Sequence, residues 1–141
     1  MSSKLFADTS GWACLFDATQ PNHLKATQLF TQTRQQQTTF VTTNYIIAEL
    51  VALFHSPLRL PRPQIFQIVD SLKTAPYLEI IYIDMATDTA AWKLCKSRLN
   101  KAWSLVDCTS FVIMQRLNIQ ASLTTDRHFE QAGFTRLLMG N

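Results

Sequence analysis

The chain has 141 residues, 47% of them hydrophobic and 16% charged, so it can bury one core and is too apolar to be disordered. It contains only three glycines and no glycine-rich phosphate loop, which excludes the nucleotide-binding motifs built on such a loop. The formal charge of +3, from 13 basic and 10 acidic residues, is too small to indicate a nucleic-acid partner by itself.

The cysteines and the hydropathy pattern indicate the cellular compartment. Cys14, Cys95 and Cys108 lie within apolar runs and form no CxxC pair, so we expect buried thiols in a reducing cytoplasm, not a zinc site or disulfides. The N-terminal apolar stretch is too short for a signal peptide, and no run approaches the roughly 18 apolar residues of a membrane span. We therefore expect a single cytoplasmic domain over residues 1–141 that makes no membrane contact.

Strand and helix signals alternate along the chain. Strands are predicted from short apolar or β-branched runs at residues 5–7, 38–43, 78–83, 121–125 and 134–138. Helices are predicted at residues 12–18, from Pro21 to a glutamine-rich end at 34–37, and then at 44–55, 61–73, 86–99, 105–117 and 129–133. This order predicts an α/β fold of three layers, α/β/α, with a mostly parallel central sheet covered by helices on both faces.

Two aspartates directly follow predicted strands. Asp8 comes after the first strand and Asp126 after the strand at 121–125. Parallel sheets bind ligands beyond the carboxyl ends of their strands, so both carboxylates are expected at the same edge.

Helix capping competes with function as an explanation for most of the acidic residues. Asp8 and Asp126 are placed as N-caps, and Asp107 lies three residues after Ser104 in a capping-box pattern. Glu49 lies in the middle of an apolar helix, where capping does not apply and no lysine or arginine stands three or four residues away. A carboxylate held near a core needs a cationic partner, and a bound metal ion would serve as one.

Four carboxylates at one site predict a hard divalent cation. Each pair roughly 4 Å apart repels by about 4 kcal/mol at an effective dielectric of 20, and oxygen ligands favour Mg²⁺ or Mn²⁺ over zinc. The chemistry expected there is attack of metal-activated water on a phosphodiester. With 13 basic and six remaining acidic residues, the rest of the protein would carry +7, which suits a polyanionic substrate.

The four acids occur in four segments, which are FADTSGW at 6–12, NYIIAE at 44–49, LVDCTSF at 105–111 and LTTDRHFEQAGF at 123–134. These segments resemble the motifs of the PIN domain, in particular of VapC-type toxins from prokaryotic toxin–antitoxin pairs, and the resemblance covers essentially the whole chain. It implies that Asp8, Asp107 and Asp126 bind metal and that Glu49 completes the site directly or through water.

The resemblance also implies the activity and the partners. Ser10 and Thr125 match polar positions that would hold the carboxylates or the water on the metal, although cap and turn hydroxyls explain them nearly as well. The activity would be that of an endoribonuclease toxin with one or two Mg²⁺ or Mn²⁺ ions, leaving a 5′-phosphate and a 3′-hydroxyl. A small cognate antitoxin would block the site, and a homodimer would form through the helix at 45–54 and the arm at 57–63.

Basic residues before Asp107 are the candidates for contacts with RNA phosphates, and Trp103 is available to stack on a base. The basic residues are Lys93, Lys96, Arg98 and Lys101. For any single one of these residues, a solvated helix face or a core tryptophan is the simpler explanation.

Other functions stay open. A PIN-type RNA-processing nuclease and a non-catalytic RNA- or protein-binding module are both compatible with the motifs. A phosphatase or phosphotransfer domain also places an aspartate at a strand end, but Asp8-Thr-Ser10 lacks the second aspartate that such phosphatases need two residues later.

Overall fold

A computed structural model describes residues 3–139, and within them five strands alternate with seven helices. In chain order these are β1 Lys4–Ala7, α1 Thr9–Phe16, α2 His23–Gln35, β2 Thr39–Thr43, α3 Asn44–His55, α4 Arg62–Thr74, β3 Leu78–Ile81, α5 Met85–Ser97, α6 Leu105–Arg116, β4 Ala121–Leu123, α7 Arg127–Gln131 and β5 Thr135–Arg136.

The strands form one sheet in the order β3-β2-β1-β4-β5, and every neighbouring pair is parallel. Phe6 of the central strand is in register with Val41 of β2 on one side and Ser122 of β4 on the other. The chain leaves β1 toward β2 and later returns to its opposite side as β4. This reversal creates a crevice at the carboxyl end of β1, the usual position of a ligand site in open parallel sheets.

The helices form two separate layers. Helix α1 packs against α2 and α3, and α3 against α4, whereas α5 packs against α6. Right-handed crossovers place the first four helices on one face of the sheet and α5 and α6 on the other, because the chain reverses direction after β3. The predicted three-layer α/β/α architecture is confirmed.

The core is built around aromatic side chains that are fully buried. They include Phe6, Trp12, Phe40, Phe54 and Phe129, and burial of each such side chain stabilises the fold by about 1.5–3 kcal/mol. Trp12 Nε1 also donates to Thr42 Oγ1 at 3.2 Å, and the Thr42 hydroxyl donates to the Ala7 carbonyl at 2.9 Å. This pair of hydrogen bonds ties α1 to the ends of β1 and β2.

Several element ends differ from the prediction because side chains take over backbone hydrogen bonds. Helix α1 begins at Thr9 and not at Trp12, since Asp8 accepts from the Gly11 N–H. Strand β3 ends at Ile81, two residues early, and the Ile83 N–H donates to Asn44 Oδ1 at 2.7 Å. In residues 3–139 we find no helix with both the length and the apolar character needed to cross a membrane.

Candidate metal-binding acidic site

Asp8 lies at the carboxyl end of β1 and caps α1. Its Oδ1 accepts from the Gly11 N–H at 2.9 Å and from Ser10 Oγ at 2.8 Å, and its Oδ2 accepts from Thr124 Oγ1 at 2.8 Å. Only 7% of the residue is exposed. The carboxylate is therefore held in one orientation by donors from both α1 and the segment after β4.

Burial raises the pKa of Asp8 from its usual 3.8 to about 7, because an apolar environment disfavours the charged form. The hydrogen bonds it accepts oppose this increase, and the negative charge of Asp126 adds to it. The ionised form of Asp8 is thus poorly compensated by the protein alone. A cation beside it would supply the missing compensation.

Gly11 allows α1 to approach β4 closely. A Cβ atom at this position would lie 2.0 Å from the Leu123 carbonyl oxygen, a separation that no side chain tolerates. The first turn of α1 therefore rests directly on the backbone at the end of β4. This contact brings the segment containing Asp126 alongside Asp8.

The segment after β4 is tied to the α1 turn through hydroxyl groups. Ser10 Oγ accepts from the Thr125 N–H at 3.0 Å, and Thr124 Oγ1 accepts from the Asp126 N–H at 3.0 Å. The threonine hydroxyl that reaches Asp8 is that of Thr124. The expected carboxylate-holding role of the Thr125 side chain therefore lies one residue earlier, and Thr125 contributes its backbone.

Arg136 fixes the same segment from the other side. Its side chain is 10% exposed, its NH1 group donates to the Thr125 carbonyl at 3.0 Å, and NH2 pairs with Glu130 at 3.1 Å. The backbone between β4 and α7 is therefore held from both directions. The sequence analysis did not single out this arginine, which lies two residues after the motif at 123–134.

Asp107, Asp126 and His128 form an acidic cluster beside this turn, with one potential ligand atom from each lying within 4.8 Å of the others. Asp107 is the third residue of α6 and takes part in a capping box with Ser104. Asp126 caps α7 and accepts from the His128 N–H at 2.9 Å. All three cluster side chains are half-buried, so they remain reachable from solvent.

His128 bridges the two aspartates. Its Nδ1 lies 2.9 Å from Asp107 Oδ2 and 3.4 Å from Asp126 Oδ1. Because an ionised carboxylate can only accept, Nδ1 must carry the proton in this arrangement. The sequence analysis did not include this histidine in the site, although its position two residues after Asp126 was the available signal.

The donor set of the cluster fits a divalent cation. Two carboxylates supply oxygen ligands, which suit Mg²⁺ and Mn²⁺. In the arrangement observed, His128 Nδ1–H points at the aspartates. It thus orients the ligands in the way that outer residues of metal sites commonly do.

Glu49 lies on the exposed surface of α3, so the expectation that it is held near the core is wrong. The larger apolar side chains near it in sequence, Ile46, Ile47 and Leu50, are buried, whereas Glu49 itself is exposed. Glu49 Oε1 nevertheless accepts a hydrogen bond from Thr9 Oγ1, which connects it to the residue that follows Asp8.

The four predicted acids are thus brought to one region but not to one point. In residues 3–139, Asp107, Asp126 and His128 form the one acidic or metal-ligating group of three with atoms within 4.8 Å. Asp8 is linked to it through Thr124, and Glu49 is linked to the Asp8 turn through Thr9.

The predicted basic residues lie on α5 and on the loop that leads into α6. Lys93, Lys96 and Arg98 are exposed, and Lys101 is half-buried. The guanidinium of Arg98 lies 5.9 Å from the ring centroid of Trp103. These residues therefore lie on the helix and loop that precede the helix carrying Asp107, and their role in RNA binding stays a prediction.

The three thiols differ in their environments. Cys14 and Cys108 are buried as expected, but Cys95 is half-buried, which corrects the prediction for that residue. The Cys95 and Cys108 sulfurs are 3.0 Å apart. Burial raises the pKa of Cys108 to about 12, so this thiol remains protonated next to Asp107.

Comparison with known proteins finds a relative that spans almost the whole chain. No family model matches the sequence. The chain is 27% identical over 133 residues to the 23S rRNA-specific endonuclease VapC20 of Mycobacterium tuberculosis in each of two strains, covering 94% of this chain and 97% of that protein. The crystal structure of Mycobacterium tuberculosis VapC20, described as a sarcin–ricin loop cleaving toxin, matches with a TM-score of 0.83 and 23% identity, over 93% of this chain and 96% of that one.

Proposed function

We propose that this chain, a VapC-type PIN-domain protein by its sequence relative and its fold, is a metal-dependent endoribonuclease that acts as the toxin of a toxin–antitoxin pair. The observation that carries the proposal is the convergence of Asp107 and Asp126 beside the buried Asp8, at the carboxyl ends of β1 and β4. The relative's endonuclease activity supports the same conclusion.

The residues of the site divide into ligands and positioning residues. Asp107 and Asp126 are the proposed direct ligands, and Asp8 contributes charge from the buried side. Glu49 is proposed to complete the site through water, because it is exposed and reaches the Asp8 turn only through Thr9. His128 and Thr124 hold the carboxylates in place.

A divalent cation, Mg²⁺ or Mn²⁺, is the proposed cofactor. When bound, it would lower the pKa of water and neutralise charge on the phosphate that is cut. The protein's own part is to keep carboxylates close enough to hold that cation, which Thr124, Ser10 and His128 accomplish through the hydrogen bonds described above.

Structured RNA is the proposed substrate. The relative is named for its action on 23S rRNA, and its crystal structure for cleavage of the sarcin–ricin loop. An RNA hairpin of that kind is therefore the first substrate to test. The exposed lysines of α5 and Arg98 are proposed to contact its phosphates.

An antitoxin protein and a second copy of the chain are the proposed protein partners, and the cytoplasm is the proposed location. The largest apolar residues of the expected interface on α3 are buried or half-buried within the chain, including Ile46, Leu50 and Phe54. That helix therefore has little apolar surface left for a partner. Exposed large apolar side chains lie outside α3, and they are Leu24, Phe66, Tyr82, Met85, Trp92, Leu99, Leu117 and Met139.

Cleavage of a structured RNA in Mg²⁺ or Mn²⁺ tests the proposal. The wild type should cut 23S rRNA or a sarcin–ricin hairpin, and a chelator should stop the cleavage. Asp8→Asn and Glu49→Gln should be folded and inactive, with Asp70→Asn as a control that changes an acid on the distant helix α4.

The outcomes separate the alternatives. Cleavage of other cellular RNA precursors, without cleavage of rRNA, would favour an RNA-processing nuclease over a toxin. Cleavage that survives in all three variants would locate the activity outside the acidic site. Absence of both cleavage and metal binding would favour a non-catalytic binding module.

A further inference from the structure

We propose that a cavity next to the acidic site binds one unstacked nucleobase of the RNA. This proposal rests on the proposed function and adds a subsite for RNA specificity to the nuclease. The cavity measures about 350 Å³ and lies between the end of α5, the loop before α6, and α7. Residues that line it and carry the argument are Arg98, Trp103, Phe111, Gln115, Gln131 and Phe134.

Two of its walls are continuous with the acidic site. Trp103 directly precedes Ser104, whose backbone N–H donates to Asp107 Oδ2 at 3.0 Å. Gln131 ends the helix that Asp126 caps, and a rise of about 1.5 Å per residue places it roughly 7 Å along the helix from that cap. A phosphate held at the acids therefore has its flanking nucleotides within reach of the cavity.

The aromatic walls are pre-ordered. Phe111 meets Trp103 edge-to-face, with ring centroids 5.1 Å apart, and stacks with Phe134 at 5.8 Å. Trp103 Nε1 donates to Gln131 Oε1 at 3.0 Å, which fixes the orientation of the indole. Rigid aromatic faces of this kind are the surfaces on which proteins stack unpaired RNA bases.

The flat guanidinium group of Arg98 is a second surface, besides the Trp103 ring, on which a base could stack. Its guanidinium carbon lies 5.9 Å from the Trp103 centroid, at the outer limit of a cation–π contact. A base inserted between the two would need a separation of roughly 7 Å, since each stacking contact takes about 3.5 Å. Arg98 is exposed at the end of α5, so a movement of about 1 Å opens this space.

The polar groups of the lining favour a base over a protein side chain. Gln115 and Gln131 present amides, which can pair with the donors and acceptors on a base edge. An aliphatic or aromatic side chain from an antitoxin would cover the same amides and Arg98 without satisfying them, which is unfavourable. The chemistry of the cavity thus combines stacking with edge recognition, as in other single-stranded RNA sites.

Binding to RNAs that lack one base tests the proposal. In chelator, so that no cleavage occurs, affinity is measured for a labelled sarcin–ricin hairpin and for versions with an abasic nucleotide at each loop position in turn. For the wild type, one abasic position should weaken binding by roughly 5- to 100-fold, the range of a lost base–aromatic stack. In Arg98→Gln and Gln131→Ala, the same abasic change should have a much smaller effect.

Lys96→Gln is the matched control for Arg98→Gln. It removes the same charge from an exposed position on the same helix but does not line the cavity. It should weaken binding to all RNAs alike and keep the full response to the abasic position. Thermal unfolding of each variant checks that the fold is retained.

Equal responses of Arg98→Gln and Lys96→Gln to every abasic position would overturn the proposal, as would a wild type insensitive to all of them. Loss of antitoxin binding in Arg98→Gln, with the abasic response intact, would assign the cavity to a protein and also overturn it. None of these three results bears on the nuclease proposal, which depends on metal-dependent cleavage and on the acids.

Discussion

The two halves of the acidic site hold their carboxylates in opposite ways. Asp8 is 7% exposed and accepts hydrogen bonds on both oxygens. The side chains of Asp107 and Asp126 are 16% and 33% exposed, and each keeps a face toward solvent. Asp107 and Asp126 are accessible from solvent, so a cation can bind to them and leave. The charge of Asp8 is buried, so its ionised form needs a cation nearby.

This difference also separates stability from function. In the buried half, the pKa of Asp8 is raised and Gly11 lies directly against the Leu123 carbonyl. Both features affect the free energy of unfolding. The open half consists of helix-capping residues whose replacement by similar side chains changes folding little. Variants in the buried half should therefore change the free energy of unfolding, whereas variants in the open half should change cleavage with little effect on stability.

The largest expected effect is on cleavage, in the open half. Asp126→Asn should lower metal-dependent RNA cleavage by about 10³-fold, since metal ligation supplies several kcal/mol of charge stabilisation. Thermal unfolding should barely change, because asparagine caps a helix as well as aspartate does. Asp70→Asn, which changes an acid on helix α4 outside the site, is the control. Activity of Asp126→Asn within tenfold of the wild type would show that the open half is not the ligand set.

The second prediction concerns pH and the buried half. The pKa of Asp8 is about 7 in the folded chain and near 3.8 in the unfolded one, so the folded state binds more protons between these values. The unfolding free energy of the metal-free protein should therefore fall as pH rises from about 4 to about 7, by up to about 4 kcal/mol from this group.

Urea unfolding at pH 5 and pH 8, in chelator, measures this change. Asp8→Asn should remove the Asp8 part of the pH dependence and be more stable than the wild type at pH 8. Added Mg²⁺ should stabilise the wild type more at pH 8 than at pH 5, because ionisation of Asp8 is then easier. Parallel stability curves for the wild type and Asp8→Asn would contradict a buried, raised-pKa carboxylate.

The third prediction concerns the contact between α1 and β4, which joins the two halves. Gly11→Ala should destabilise the protein by about 3 kcal/mol, since the added methyl group meets the Leu123 carbonyl oxygen. Gly133→Ala is a matched control: its φ of +95° is strained for alanine, but the space around it is open, so about 1 kcal/mol is expected. Equal destabilisation by the two changes in urea unfolding would mean that the close approach is unimportant.

The smallest expected effect distinguishes two adjacent threonines. Thr124→Val removes the hydroxyl bound to Asp8 Oδ2 and should weaken Mn²⁺ binding by about 10- to 100-fold, the usual range for residues that orient metal ligands. Thr125→Val should change it far less, because Thr125 acts through its backbone. Calorimetric titration with Mn²⁺ measures both. A larger effect of Thr125→Val would restore the role first expected for that residue.

The sequence was sufficient for the features that depend on local signals. Helix α3 occupies the predicted residues Asn44–His55, since an uninterrupted apolar pattern begins after a strand and Pro57 stops it. Asp84 caps the helix Met85–Ser97, and its side chain accepts from the Thr87 N–H, which is the local contact that an aspartate before a helix typically makes. The proposed metal-binding role of the four acids stays a prediction, because it depends on a ligand and not on the fold alone.

Sequence reasoning failed where a contact joins distant segments. It placed Glu49 near the core because it considered neighbours along the chain, whereas the face of the helix determines exposure. It named Thr125 from the resemblance alone, whereas the threonine hydroxyl bonded to Asp8 is that of Thr124. Arg136 and His128 were missed because their partners are defined by position in space.

The amino-acid sequence alone determined the order of strands and helices, the parallel sheet and the placement of Asp8 and Asp126 at one edge, since hydrophobic periodicity and capping are local. Tertiary structure decided which hydroxyl holds Asp8, how close α1 lies to β4, and that His128 bridges two aspartates. These features depend on distances of a few ångströms between chain segments up to about a hundred residues apart. Packing of the whole core sets such distances.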